Sequence, residues 1–330
     1  MTLRANQLHF DLQGHRGARG LAPENTLPGF ALAMEIGVST LEMDTAVTQD
    51  GVVVIAHDRR LNADITRDRH GNWLSPPTPA VSSLQLDQIR EFDVGRINPA
   101  CAYSRRFPQQ RGVDGISMPT LAEVFALVRS AGNSALRFNI ETKLSPLHPE
   151  EALQPQEFTQ SLLECIRTAG MVERVTIQSF DWRTLRIAQI MEPAIAVSFL
   201  TTQNPPNPTI APGWESPWTD TVQLSAHGSV PRMVAEAGTR LPPGGRPITW
   251  SPDFADLTVE LVAEAQALGL LVLPWTLNEP NEIGSAIAMG VDGLITDYPD
   301  RARAVMAQLG VSLPESAAPA GANRIFRPHE

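Results

Sequence analysis

Apolar runs of strand length alternate with segments of helical spacing along almost the whole chain, and that alternation limits the fold more than any other feature. Residues 9–14, 39–47, 135–141, 175–178, 195–200, 248–250, 270–276 and 293–296 read as strands. Helical runs follow most of them. The first begins after Pro23-Glu24-Asn25-Thr26, with Asn25 or Thr26 as N-cap, Pro28 in the first turn, Leu27, Phe30 and Met34 along one stripe, and Gly37 at its end. Another is led in by Pro119-Thr120 and stops near Gly132; further helices are expected at 157–169, 181–191, 257–268, 279–289 and 300–309. About eight strands, most followed by a helix, predict an α/β fold of the (β/α)8 TIM-barrel kind rather than an open doubly wound sheet. The first strand leads into Gly14-His15-Arg16-Gly17, which lacks the spacing of a dinucleotide-binding turn.

Two stretches break the rhythm. Residues 59–118 are rich in Pro, Arg, Asp and Asn, and only 84–92 reads as helical. Sixty residues are too many for a plain loop, so the expectation is an inserted segment after the second strand, with structure of its own, lying over one end of the barrel. Residues 201–220 read as a second long loop. Residues 312–330 are expected to form a poorly ordered tail, which leaves 1–311 as a single barrel that includes the insertion.

The chemistry is densest between Gly14 and Asp58. Glu42 and Asp44 stand two apart on the second strand, so their side chains leave one face. Side by side they repel unless a cation sits between them or the strand is an exposed edge. An all-oxygen donor set favours Mg²⁺ or Ca²⁺. Read as a two-residue hairpin, the Asp50-Gly51 turn sets Asp44 opposite His57 and Ala46 opposite Ile55, which brings His57 to the two carboxylates. Glu141 and Lys143 share a face at the end of the next barrel strand, where they add a third carboxylate and a cation or form an exposed ion pair. His15 and Arg16 follow the first strand, and the arginine fork matches phosphate oxygens. Two histidines, a metal held by carboxylates, Arg16 and Lys143 are suited to cleaving a phosphodiester.

Charge and composition narrow the partners. A net charge of −10 argues against nucleic acid and requires local cations for any anionic substrate. No apolar run approaches the ~18 residues of a membrane span, and residues 1–13 lack an apolar signal core and a cleavage site. The expected location is therefore the cytoplasm, although an exported protein trimmed of its signal would read the same. Cys101 and Cys165 read as free thiols, with one disulfide in an exported protein as the other reading. Oligomeric state is not legible.

Several motifs together resemble the glycerophosphodiester phosphodiesterase family: HRG at 15–17, PENT at 23–26 with Phe30, ExD at 42–44, TQDG at 48–51 and HD at 57–58. PTLAEVF at 119–125, ETK at 141–143, QSFD at 178–181, WTLN at 275–278 and VDGLITDYPD at 291–300 continue the resemblance in order to the end of the barrel. It implies a barrel hydrolase of lipid and glycerol metabolism that cleaves glycerophosphodiesters to sn-glycerol 3-phosphate and an alcohol with a divalent metal. By motif position, His15 and His57 become the acid–base pair, and Glu42, Asp44 and Glu141 the metal ligands. Arg16 and Lys143 bind phosphate, Glu24 orients the first loop, and Gln178 and Trp275 line the pocket unless they are core residues. Asp297 fits a helix N-cap equally well. The segment 59–118 matches the family's insertion in position but departs in sequence, LNADIT standing where LDRTT is usual, which bears on substrate preference. A phospholipase-D-like or lysophospholipid-cleaving barrel is the rival reading and calls for an apolar lip, for which Trp214 and Trp218 are the candidates. A barrel that only binds a phosphodiester is the remote one.

Overall fold

The computed structural model describes residues 10–242 and 245–318. Eight parallel strands form a nearly closed barrel: β1 (Asp11–Gly14), β2 (Thr40–Val47), β4 (Arg137–Thr142), β5 (Val175–Ser179), β6 (Ala196–Thr201), β7 (Thr249–Pro252), β8 (Leu271–Val272) and β9 (Gly293–Thr296). A ninth, β3 (Val53–Ile55), pairs antiparallel with β2. The neighbours run β8-β7-β6-β5-β4-β2-β1-β9. The last seam is drawn together by Asp292 N–H to Val272 O at 2.9 Å and by Leu277 N–H to Ile295 O at 3.0 Å. The (β/α)8 expectation is met. His9, expected in the first strand, lies outside the described residues, as do 319–330 of the expected tail; Ala317 N–H donates to Met34 O at 2.9 Å.

The helices form where capping and periodicity called for them. In α1 (Leu27–Ile36) the N-cap is Thr26, whose hydroxyl accepts from Gly29 N–H, while Asn25 is free for another use. The one-turn α2 (Leu86–Ile89) is shorter than the expected 84–92, and α3 (Leu121–Ser130) starts with a reciprocal capping box between Thr120 and Glu123. Then come α4 (Pro155–Thr168), α5 (Trp182–Met191), the short α6 (Leu224–His227), α7 (Val230–Thr239), α8 (Val259–Ala267), α9 (Pro280–Met289) and α10 (Pro299–Gln308). The helix α7 was not anticipated, although Ser229 caps it, Pro231 sits in its first turn, and Val230, Met233, Val234 and Ala237 make its buried stripe. The expected strand 270–276 pairs regularly only at 271–272, because Pro274 brings no N–H to the ladder.

Most apolar side chains fill the layer between strands and helices, with Leu41, Met43, Phe138 and Ile140 pointing outward from β2 and β4. The inserted segment has a small core of its own. Ala46 and Val54, paired across β2 and β3, pack there with Leu61, Val81, Ile89, Val94 and Met118. The hairpin thus serves as the floor on which the insertion is built. Cys101 and Cys165 are free thiols. Among the described residues no helix is long and apolar enough to cross a membrane.

Candidate active site

The inner face of the barrel's second strand carries the centre of the site. In β2 and β4 Asp44 lies beside Glu141 and Glu42 beside Asn139. Glu42, Asp44 and Glu141 are all buried, and each offers an oxygen within 4.8 Å of the others. Burial, then the charge of Asp44, pushes Glu42 well above the usual carboxylate range, and burial lifts Glu141 to about 7 although Lys143 opposes it. Asp44, buried as deeply, is held far down by Arg16, His57 and Lys143. Three buried carboxylates with two of them pushed toward protonation fit a hard divalent cation, whose charge removes the mutual repulsion.

The first loop is folded tightly against this group. Arg16 and Asn25 have left-handed backbones, φ 50° and 55°, and Gly17 follows at φ 88°. A Cβ on Gly17 would lie 2.6 Å from the Gly29 carbonyl carbon, so only glycine lets the loop rest on α1. The conformation aims Arg16 N–H at Glu42 Oε2 (2.8 Å), while Asn25 Nδ2 donates to Asp44 Oδ2 (2.8 Å). The Arg16 guanidinium donates to Glu24 Oε1 at 2.6 Å and stands 3.1 Å from Asp44 Oδ2. Lys143 Nζ donates to Glu141 Oε1 at 2.7 Å and lies 3.7 Å from Asp44.

His15 stands at the end of β1 with its N–H donating to Thr296 O at 2.8 Å. Its Nδ1 is 2.7 Å from Asp297 Oδ1, and its Nε2 is 3.9 Å from Glu42 Oε2. Arg19 Nη2 also lies 3.1 Å from Nδ1, but it donates to Asp297 Oδ2 at 3.0 Å, and the carboxylate contact, shorter at 2.7 Å, cannot donate; Nδ1 is therefore assigned the proton and Nε2 is the open nitrogen. Burial, with Arg19 beside it, lowers the imidazole to about 4, against the pull of Asp297. Asp297 also accepts from Arg19 Nε (2.7 Å) and Asn278 Nδ2 (2.8 Å). It caps no helix: the residue at the α10 N-cap is Tyr298, with no side-chain bond.

His57 arrives by a different route from the one expected. The turn is a three-residue loop: Gly51 N–H donates to Thr48 O and Thr48 N–H to Val52 O, both at 3.0 Å, with Gly51 at φ 80°. Thr45 therefore faces Ile55, and Ala46 faces Val54, one residue off the expected pairing. Continued, this register would set His57 beside Met43, on the wrong face. The strand stops at Ile55 instead, and a bend over 57–59 turns the imidazole into the cavity. There Nδ1 meets Asp58 Oδ1 at 3.0 Å, and Asp58 accepts from Asn62 Nδ2 at 2.8 Å. Burial, Arg16 and Lys143 lower the His57 pKa.

His15, Arg16, Glu42, His57, Glu141 and Lys143 line a cavity of about 330 Å³ at the C-terminal mouth of the barrel, whereas Asp44 and Asp297 are not in its wall. Gln178 and Trp275 are both in its wall: Gln178 Nε2 donates to Glu42 Oε1 at 2.7 Å, and Trp275 meets Phe180 edge to face at 5.5 Å. Trp214 and Trp218 are not among the lining residues.

A model of the glycerophosphoryl diester phosphodiesterase family matches residues 15–301. The chain belongs to that family. It is 27% identical over 287 residues to a glycerophosphodiester phosphodiesterase of Caldanaerobacter subterraneus, covering 87% of this chain and 93% of that protein. A solved structure from Silicibacter pomeroyi DSS-3, assigned as a glycerophosphoryl diester phosphodiesterase, is 37% identical with a TM-score of 0.79, covering 93% of this chain and 99% of that one. An Oleispira antarctica phosphodiesterase, solved with its product sn-glycerol-3-phosphate, is 20% identical with a TM-score of 0.62 over 90% of this chain and 96% of that one, a likeness of fold.

This family member brings into the site residues that sequence reasoning missed. Arg19 and Asp58 adjoin the histidines, and Tyr103 and Arg106 enter the cavity wall from the insertion. Tyr103 Oη donates to Glu24 Oε2, which ties the insertion to the first loop. Arg19 and Asp58 each lie within four residues of a histidine already singled out, and that nearness was the available signal. For Tyr103 there was none.

Proposed function

We propose that this glycerophosphodiester phosphodiesterase releases sn-glycerol 3-phosphate and a free alcohol, with a divalent cation held by Glu42, Asp44 and Glu141 and an acid–base pair formed by His15 and His57. The observation that carries the reading is the pairing of two imidazoles, each turned by a carboxylate at Nδ1, with a cluster of three buried carboxylates, two of which, Glu42 and Glu141, line the same cavity. When bound, Mg²⁺ or Ca²⁺ would polarise a phosphoryl oxygen and offset its charge. Lys143 and Arg16 supply the other positive charge for the phosphate, although both are already engaged with carboxylates of the site. One histidine takes a proton at Nε2 from the attacking oxygen as its bond to phosphorus forms, and the other gives one to the alcohol oxygen as its bond to phosphorus breaks. Attack by a water gives sn-glycerol 3-phosphate directly, whereas attack by the glycerol 2-hydroxyl gives a cyclic phosphate that a water then opens with the two roles reversed. The arriving anion favours the charged form of the donor imidazole, against the burial that lowers it. Gln178 holds Glu42, and Trp275 with Phe180 forms a flat apolar wall.

The test is a panel of glycerophosphodiesters with the metal-reconstituted protein, measuring glycerol 3-phosphate release, with glycerophosphocholine set against its lysophospholipid. Release from the former alone is expected, with loss of activity in EDTA and recovery on adding Mg²⁺ or Ca²⁺. Full activity in chelator would overturn the metal, and release of a lysophosphatidic acid from the lysolipid would favour the rival substrate.

A further inference from the structure

A chain of buried side-chain hydrogen bonds runs down the barrel from the carboxylate group to the opposite mouth. Gln178 Nε2 donates to Glu42 Oε1 at 2.7 Å. Asn139 Nδ2 donates to Gln178 Oε1 at 2.9 Å and to Gln13 Oε1 at 2.8 Å. Gln13 Nε2 donates to Asp11 Oδ2 at 2.9 Å, and Asp11 Oδ1 accepts from Thr40 Oγ1 at 2.7 Å and faces Arg137 Nη2 at 3.0 Å. Gln13, Asn139, Gln178 and Glu42 are each less than 5% exposed.

Donor counting allows one orientation of this chain. A carboxylate that holds a cation is ionised and only accepts, so with Glu42 in that state at one end and Asp11, bonded by Thr40 and facing Arg137, at the other, both glutamines must present their NH₂ outward. Their carbonyls then meet in the middle, where a group with two protons and no negative charge is required. The Asn139 NH₂ has two protons and spends both. Its own carbonyl is left spare, buried and without a partner among the described residues. Turning Asn139 over would set three carbonyls together or, if the glutamines turned with it, would aim carbonyls at both carboxylates. Amide orientation, usually a matter of choice, is here dictated by the ends.

We infer that Asn139 is a positioning residue for the metal carboxylate Glu42. By fixing the Gln178 amide it keeps a donor on Oε1, while Arg16 N–H holds Oε2, so both oxygens are pinned and the carboxylate is presented to the cation in one orientation. The inference rests on the proposed metal site and adds a residue that does not touch it.

Titration calorimetry with Mg²⁺ and with Ca²⁺ tests it on the metal-free protein. Asn139→Asp keeps the shape but makes the centre acceptor-only, so Gln178 is drawn to turn its carbonyl toward Glu42. Affinity should fall at least roughly tenfold. Asn139→Leu removes the donor without reversing the amide and should cost less affinity than Asn139→Asp, even where it lowers Tm more. Gln13→Met breaks the chain on the far side of Asn139 and should leave affinity within about twofold, because Asn139 still holds Gln178. Wild-type affinity in Asn139→Asp, or losses that follow Tm across the three variants, would overturn the positioning role. Wild-type protein that takes up neither cation would overturn the metal site itself, a different failure. Should Asn139→Asp fail to fold, equal losses in Asn139→Leu and Gln13→Met would still refute the role.

Discussion

His15 and His57 reach one cavity by opposite constructions. His15 is an extension of a barrel strand: its N–H is tied to β9, its side chain is 13% exposed, and its partner Asp297 is 2% exposed and bonded by Arg19 and Asn278. His57 sits on a bend beyond the end of a three-residue strand, 32% exposed, and its partner Asp58 is 40% exposed. The inner half of the site is built by the barrel and the outer half by the hairpin and the insertion. Strand pairing over-determines the first, whereas the second depends on a loop whose shape other loops support. A barrel of this kind can therefore keep His15 and the carboxylates fixed on the inner half while the insertion around His57 changes what the site admits on the outer one.

The widest break of this comparison is removal of each imidazole. His15→Ala and His57→Ala should each lower kcat by about 10² or more, as loss of a general acid or base does. The halves should then part in rescue. Added imidazole should restore part of the turnover of His57→Ala, whose place is open to solvent, and none of that of His15→Ala. Turnover near wild type in either variant removes that histidine from the reaction, and equal rescue of both removes the distinction between the halves.

The inner half also carries an electrostatic cost that the outer half lacks. Glu141 rises from an ordinary 4.5 to about 7 in the fold. Between those values the unfolded chain has lost a proton that the folded one keeps, so the stability of the metal-free protein should fall as pH rises from about 4.5 to 7. Holding one proton across one pH unit corresponds to about 1.4 kcal/mol, so the change is on the order of 3 kcal/mol, the charge of Asp44 being part of what raises Glu141. Thermal melts in EDTA at pH 5 and pH 7.5 would read it. Addition of Mg²⁺ or Ca²⁺ should raise Tm more at pH 7.5 than at pH 5, and the same increment at both values would mean that the cation does not sit among these carboxylates.

The two halves differed in how far they could be read in advance. Strand parity alone puts Glu42 and Asp44 on one face, and placing Glu141 beside Asp44 needs only neighbouring parallel strands. Those statements depend on local geometry with a fixed period, and they hold. The route of His57 depended on a turn type, and one extra loop residue shifted the register; His57 still arrives because the strand ends before parity applies to it. Contacts such as His15 with Asp297, or Tyr103 with Glu24, join residues 282 and 79 apart, and no period in the sequence encodes them. Asp297 was visible as an acid at the end of the last strand, and its two readings, cap or site, could be separated only by seeing the bond.

Asp297→Asn is the next sharpening of the contrast. The amide can still meet His15, but it can offer a proton where Nδ1–H needs an acceptor, and the charge that balances Arg19 is gone. Activity should fall on the order of 10–100-fold, as for other groups that orient a histidine in a site. The loss should lie in kcat rather than KM, because Asp297 is not in the cavity wall. A change confined to KM would refute an orienting role.

The matching change in the outer half should do least. Asp58→Asn leaves a carbonyl oxygen that accepts from His57 Nδ1–H, and at 40% exposure water can replace what the charge supplied. Asp58 also accepts from Asn62 Nδ2, and an amide can turn to keep one of the two bonds. The loss is then that of about one exposed hydrogen bond, near 1 kcal/mol, or roughly fivefold in kcat/KM. Because Asp58 helps keep the bend in shape, part of the effect should fall on KM, unlike that of Asp297→Asn. Steady-state kinetics of the two Asn variants with one diester substrate compare them directly. If Asp58→Asn proves as damaging as Asp297→Asn and lies wholly in kcat, the outer imidazole is held as rigidly as the inner one, and the division of the site into a barrel-built half and a loop-built half fails.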